Sequence, residues 1–196
     1  MPQTISPYLW YGALRRMNKT NILWVGILSF LCVFSSIFSP TSGEKITTPT
    51  VYVGGSGAGN YTRIQDALDN VTSDGTVYVF PGMYHEHLII TTPVHLISNN
   101  KDSTIIDGDN KNYVVILKAG SSTLSGFTII HSENKFPFAG ICVVSNHNTI
   151  SDNILTDNFY GMQLGYTASY NLIVNNTIYH NGRCGIYFNH ASHNSL

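Results

Sequence analysis

The sequence predicts an all-β chain, a single-stranded parallel β-helix closed at its start by a short helix. Three observations predict it. Asn148, Ile150, Asn153, Leu155 and Asn158 recur 23 residues later as Asn171, Ile173, Asn176, Ile178 and Asn181. Asn194 and Leu196 lie a further 23 on, and Ser122, Leu124, Phe127, Ile129 and Ser132 form a degenerate copy 26 residues upstream. A second series of Val115, Ile141, Met162 and Ile186 keeps step, its last three members each preceded by Gly. The intervening pieces, such as "NLIV" and "GIYF", are short, alternating and bounded by Asn, Gly and Ser. They read as strands, and the long 3.6-residue periodicity of helical repeats is missing. A period in the twenties is that of a stacked solenoid. Three short strands fill one such turn, with turns about 4.8 Å apart.

The elements can be taken in chain order. A chain of 196 residues holds one full-sized domain. Its first 43 residues read as an N-terminal extension and signal peptide: Arg15, Arg16 and Lys19 precede an apolar run from Ile22 to Phe38, then small and turn-forming residues. Met17 is an alternative start. Cleavage after Gly43 and retention as a 17-residue anchor are both open, and either places residues 44–196 outside the cytoplasm. Next, "NYTRIQDALDNV" puts Thr62 and Gln65 at capping-box spacing and Ile64, Ala67, Leu68 and Val71 on one helical face. This is the expected helix over the open N-terminal end. Strands are expected at "TVYVF", "HLII", "VHLIS" and "STIID", and the regular turns follow. Leu124, Ile150, Ile173 and Leu196 should form one internal column, and Val115, Ile141, Met162 and Ile186 another. The chain stops in mid-turn, so residues 44–196 are read as a β-helix domain truncated at its C-terminal end.

The asparagines have a structural reason. A bend leaves backbone groups without strand partners, and burying them unpaired is costly. An Asn there can bond backbone and also the Asn one turn away, as in stacked amide ladders. Asn148, Asn153, Asn158, Asn171, Asn176, Asn181 and Asn194 are the expected ladder residues.

"YTRIQDALDNV", "GTVYVFPGMYHEHLII", "PVHLIS" and "STIIDG" together resemble the opening of pectin-lyase-like right-handed β-helix proteins. The Gly-Ile, Asn-x-Ile and Asn-x-Leu pattern that follows resembles the NosD-like periplasmic copper-binding family and the wider carbohydrate-binding and sugar-hydrolase repeats. The resemblance covers roughly residues 50–196 and implies a right-handed helix with an exported location. It is specific for the scaffold, and function lives in sites grafted on it. It implies three classes: maturation of the copper site of an exported copper-dependent reductase, modification of extracellular polysaccharide, or a surface scaffold without a reaction.

The chemistry is read against those classes. Charged residues are 11% of the chain. Of ten basic residues three lie in the leader, leaving seven against eleven acidic ones from Glu44 onward, so no basic patch points to nucleic acid. A membrane enters only through an uncleaved leader. Cys142 and Cys184 lie in different columns nearly two turns apart, too far for a disulfide. "GMYHEHL" is similar to a G-x-Y-x-E stretch of pectin methylesterases, but their paired aspartates have no match before Leu196, and Glu86 reads as a strand surface residue. Asp107 and Asp109 in "IIDGDN" read as a turn. Catalytic residues are therefore none within this chain, and the enzyme alternative places them beyond residue 196. Copper, the cofactor the resemblance implies, needs His, Met or Cys. His85 and His87 share a strand face; His131, Asp157 and His180 fall in one column by the 26 and 23 offsets and are expected to meet as a clamp or a metal site. Tyr166, Tyr170, Tyr179 and Tyr187 should face outward, where sugar rings could stack. "NYT", "NVT" and "NNT" at 60, 70 and 175 match N-glycosylation acceptors.

Overall fold

A computed structural model describes residues 49–196; the leader, both start codons and the boundary at 43 lie outside the described residues. Five successive turns each give one strand to each of three parallel sheets. The first turn is β2 (Gly75–Val79), β3 (Gly82–His85) and β4 (Leu88–Ile90), and the second is β5 (Val94–Ile97), β6 (Thr104–Asp107) and β7 (Val115–Leu117). The third is β8 (Thr123–Ser125), β9 (Thr128–Ile130) and β10 (Ala139–Val143). The fourth is β11 (Thr149–Ser151), β12 (Ile154–Leu155) and β13 (Tyr160–Leu164), and the fifth β14 (Leu172–Val174), β15 (Thr177–Ile178) and β16 (Cys184–Phe188). A leading strand, β1 (Thr50–Val53), pairs with β2 at the edge of the first sheet.

Burial sets the register. Ile150 pairs with Leu124 on one side and Ile173 on the other, and all three are buried. Met162 lies between Ile141 and Ile186, and Leu155 between Ile129 and Ile178. A one-residue slip in any pair would turn these aliphatics to solvent. Leu196 departs from the expectation: it is 73% exposed, with no strand among the described residues stacked over it.

The helix α1 (Ile64–Asn70) buries Ile64, Ala67 and Leu68 against β1, β2 and β4. Its capping box does not form. Arg63 holds the N-cap position without a side-chain hydrogen bond. The orphan amides of Ile64 and Gln65 donate instead to the two carboxylate oxygens of Glu86, at 2.8 and 3.0 Å. Glu86 is thus no surface residue but a cap delivered from the bend after β3, 7% exposed. Gln65 is diverted to another task. Its Oε1 accepts the Ile89 amide at 2.9 Å and its Nε2 donates to the Ile89 carbonyl at 3.3 Å, so it occupies the open edge of β4. An uncovered edge would template pairing with another chain.

The three bends of a turn share one backbone device. Ser121, His147, Tyr170 and His193 stand at the first bend, Gly126, Asp152 and Asn175 at the second, and His131, Asp157 and His180 at the third, all with φ between 51 and 88°. Each immediately precedes a ladder position. Asn, Asp and His are enriched in this left-handed region among residues with a Cβ. The dipeptides His-Asn and Asp-Asn, repeated through the sequence, are therefore the spelling of a bend. At Gly126 a Cβ would lie 1.9 Å from the Ser98 carbonyl oxygen, and only glycine fits.

Candidate functional site

The ladder residues place everything displayed at the bends. Asn171 Oδ1 accepts the Asn148 amide and the Asn148 Nδ2, both at 2.9 Å. Asn194 repeats this toward Asn171 at 2.9 Å. Asn176 Oδ1 accepts from Asn153 at 3.0 and 3.1 Å, and Asn181 Oδ1 accepts the Asn158 amide at 3.1 Å. The amide groups return the bond: Asn153 Nδ2 donates to the Leu124 carbonyl, Asn158 Nδ2 to Ile129 and Asn181 Nδ2 to Leu155, each at 3.0 Å. Backbone groups stranded at the bends are satisfied from the neighbouring turn.

At the third bend of the earlier turns, strand register brings two imidazoles and two carboxylates together. His85, last in β3, pairs in register with Asp107, last in β6. His85 Nδ1 lies 2.8 Å from Asp109 Oδ1 and 3.9 Å from Asp107 Oδ2. Asp107 Oδ1 accepts the Asp109 amide at 2.9 Å and approaches His131 Nδ1 at 3.0 Å. Asp107 is 7% exposed, whereas His85 and Asp109 are open to solvent. Ligand atoms of His85, Asp107 and Asp109 all lie within 4.8 Å of one another. The hydrogen bond from His85, more than the nearby charges, holds the Asp109 carboxyl below its usual range.

The other sequence candidates fall elsewhere. The Asp157 carbonyl accepts the His131 amide at 3.2 Å, so the column exists in the backbone. The side chains do not join: the His131 ring turns to Asp107, and Asp157 Oδ2 accepts the Thr156 hydroxyl at 3.0 Å. Asp157 and His180 line a shallow cavity of about 210 Å³ with Asn110 and Asn134. His87 Nδ1 meets the Tyr113 carbonyl at 2.8 Å, outside the cluster. Asp107 and Asp109 were the residues that reading by offsets missed. The usable signal was the separation of 22 from His85 to Asp107 and 24 from Asp107 to His131.

The tyrosines divide into two kinds. Tyr170 lies parallel between His147 and His193, with centroids 5.3 and 5.1 Å away, and Tyr187 stacks on Tyr160 at 4.8 Å. Rings so arranged cover one another's faces. Tyr166, 76% exposed, meets His190 only at a tilt, and Tyr179 meets His180 edge-on. In the third sheet burial pushes the Cys142 thiol up to about 11, and burial with the adjacent thiol pushes Tyr113 to about 12. Cys142 and Cys184 are both free thiols. Among the described residues no helix is long and apolar enough to cross a membrane.

Comparison with known proteins places this scaffold. Residues 89–196, more than half of the chain, match the family described as periplasmic copper-binding protein (NosD), and the chain belongs to that family. It is 30% identical over 107 residues to a cell surface glycoprotein of Methanothermus fervidus, covering 52% of this chain and 18% of that protein. The chain thus spans less than a fifth of the length of the curated relative it matches. Among solved structures it is similar to a pectin methylesterase from carrot, with a TM-score of 0.49, 13% identity and coverage of 65% of this chain and 53% of the other. It is also similar to pectin methylesterase PemA from Erwinia chrysanthemi, with a TM-score of 0.44, 12% identity and coverage of 72% and 46%.

Proposed function

We propose that this member of the NosD family is an exported binding scaffold that takes copper as its cargo, for delivery to a copper-dependent exported protein. The observation that carries the reading is the donor-bearing third bend of the first two turns, where imidazole and carboxylate groups stand at the ends of the paired strands β3 and β6. Imidazole and carboxylate suit oxidised copper, and no thiolate or thioether stands in that group of ligand atoms among the described residues. The family description and the surface glycoprotein relative support a location outside the cytoplasm. A hydrolytic reading loses its best acid, because both oxygens of Glu86 are engaged by helix amides.

The test is expression of the full chain, its leader included, followed by protease digestion of intact cells or spheroplasts and metal analysis of the purified protein. External protease should reach the β-helix, and about one copper per chain should survive gel filtration. A chain confined to the cytoplasm, or one that leaves the column without copper, would sink the proposal. Glycan contact is a second reading, favoured by the free faces of Tyr166 and Tyr179. It requires that Tyr166→Ala weaken retention on an insoluble extracellular polysaccharide.

A further inference from the structure

We infer that the third bend holds one specific site for an oxidised, borderline divalent metal ion of the Cu(II) class, with His85, Asp107 and Asp109 as ligands and His131 joined through Asp107. The inference rests on the copper-scaffold reading above and deepens it, since it assigns the oxidation state and the atoms. His85 lies before the residues that match the family, and Asp107, Asp109 and His131 lie within them.

The geometry accommodates a tetragonal ion. Donors about 2.0 Å from a metal and 2.8 Å from each other, the separation of His85 Nδ1 and Asp109 Oδ1, subtend about 90° there. That is the cis angle of the square-planar or tetragonal arrangement Cu(II) prefers. Asp107 Oδ2, 3.9 Å from the same nitrogen, reaches a third position through a small side-chain rotation. Asp107 Oδ1 faces His131 Nδ1 at 3.0 Å, the carboxylate–histidine pairing that orients a ligand from behind.

The frame is fixed before the ion arrives. His85 and Asp107 end adjacent paired strands, and the Asp107 carbonyl accepts the Glu86 amide at 3.2 Å. The Asp107 carboxylate is tied to the Asp109 amide, while Asp109 and His131 are pinned in left-handed conformations with φ of 51 and 59°. His85 and Asp107 therefore sit on backbone set by sheet register, which limits the reorganisation binding requires. Met83 stands two residues before His85 on the exposed face of β3 and offers a soft donor for reduced copper.

The experiment titrates the purified full chain with Cu(II), and separately with Cu(I), using competition chelators and electron paramagnetic resonance. Asp107→Asn keeps the size and the acceptor oxygen. His85→Gln alters an exposed position and guards against a folding defect in the first variant, and His147→Gln at another bend is the control. Wild type should bind one Cu(II) with a tetragonal spectrum carrying imidazole nitrogen couplings. Asp107→Asn and His85→Gln should each weaken Cu(II) at least 10-fold with unchanged far-ultraviolet circular dichroism, and His85→Gln should remove one nitrogen coupling. His147→Gln should leave both unchanged. Cu(II) bound equally by all four proteins would overturn the site and leave the copper reading standing. Preferential Cu(I) binding lost in Met83→Leu would overturn the oxidation state and the ligand set. A wild type that binds no copper would overturn site and reading together.

Discussion

Asn171 has all four of its side-chain hydrogen-bonding positions in use while being almost wholly buried: its oxygen takes two N–H groups of Asn148 and its nitrogen serves the Ser145 carbonyl and Asn194. Truncation to Ala leaves a buried amide and a buried carbonyl without partners. At about 1–3 kcal/mol for each of the two stranded groups, Asn171→Ala should cost about 2–6 kcal/mol in denaturant unfolding. Asn181→Ala, half-exposed, should cost clearly less because water takes over its bonds. Glu86 poses the same kind of question with a charge. Glu86→Ala should destabilise by about 2–3 kcal/mol, the range for hydrogen bonds to a charged group, and Glu86→Gln by less, since one acceptor remains. Equal losses in the two variants would mean that the carboxylate is not the cap. Cys142 gives the pH dependence. Its thiol is raised by burial to about 11, so the fold favours the protonated form. That contribution is present below the unfolded value near 8.5 and vanishes as pH climbs through the folded one, a span of about 3 kcal/mol at most. Alkaline destabilisation between about pH 9 and 11 should therefore be steep in wild type and flatter in Cys142→Ala, when chemical unfolding is followed across that range.

The bends decide how the strands relate, and their chemistry separates what the sequence reveals from what it hides. Offsets of 23 and 26 identify Ile150 with Leu124 and Ile173, because each inward column must keep its register or lose its burial. The same arithmetic aligns His131 with Asp157 only along the backbone. A column fixes where a Cα lies and leaves χ angles free, and the His131 ring swings to Asp107 on the preceding turn. The first two turns are less regular in length, so His85, Asp107 and Asp109 share no common offset with the later copies. The φ values supply a plain reason for most of the histidines at the bends: a bend needs a residue that tolerates the left-handed region. Asp152, with φ of 58° and no side-chain hydrogen bond among the described residues, tests this cleanly. Asp152→Gly should be neutral within about 1 kcal/mol, since strain relief offsets the entropy of the freer unfolded chain. Asp152→Val should cost about 1–2 kcal/mol or more, the penalty of a β-branched side chain in that conformation. Thermal melts of the pair suffice, and equal stability would mean that the bend relaxes to another conformation.

A stack in which each turn touches only its neighbours behaves as a one-dimensional object, with stability the sum of turn and interface contributions. Its two ends differ in this chain. The first turns lie under α1, whose Gln65 closes the edge of β4 and whose amides are capped by Glu86. The strands β14 to β16 are mostly half-exposed, and Leu196 shields little of them. Ile150 lies between the two regions and is buried against a neighbour on each side. Ile150→Ala should cost about 2–5 kcal/mol, the lost transfer free energy plus the cavity left behind. That cost should fall unevenly. In the 196-residue chain the fifth turn, which pairs with the fourth, should open first, while β2 to β4 keep their contacts with the second turn and with the helix. Hydrogen exchange would then show amides in β14 to β16 accelerating strongly in the variant, with those of β2 to β4 changed little. Uniform acceleration along the whole chain would require the five turns to unfold as one cooperative unit, and the nearest-neighbour account of the stack would have to be given up.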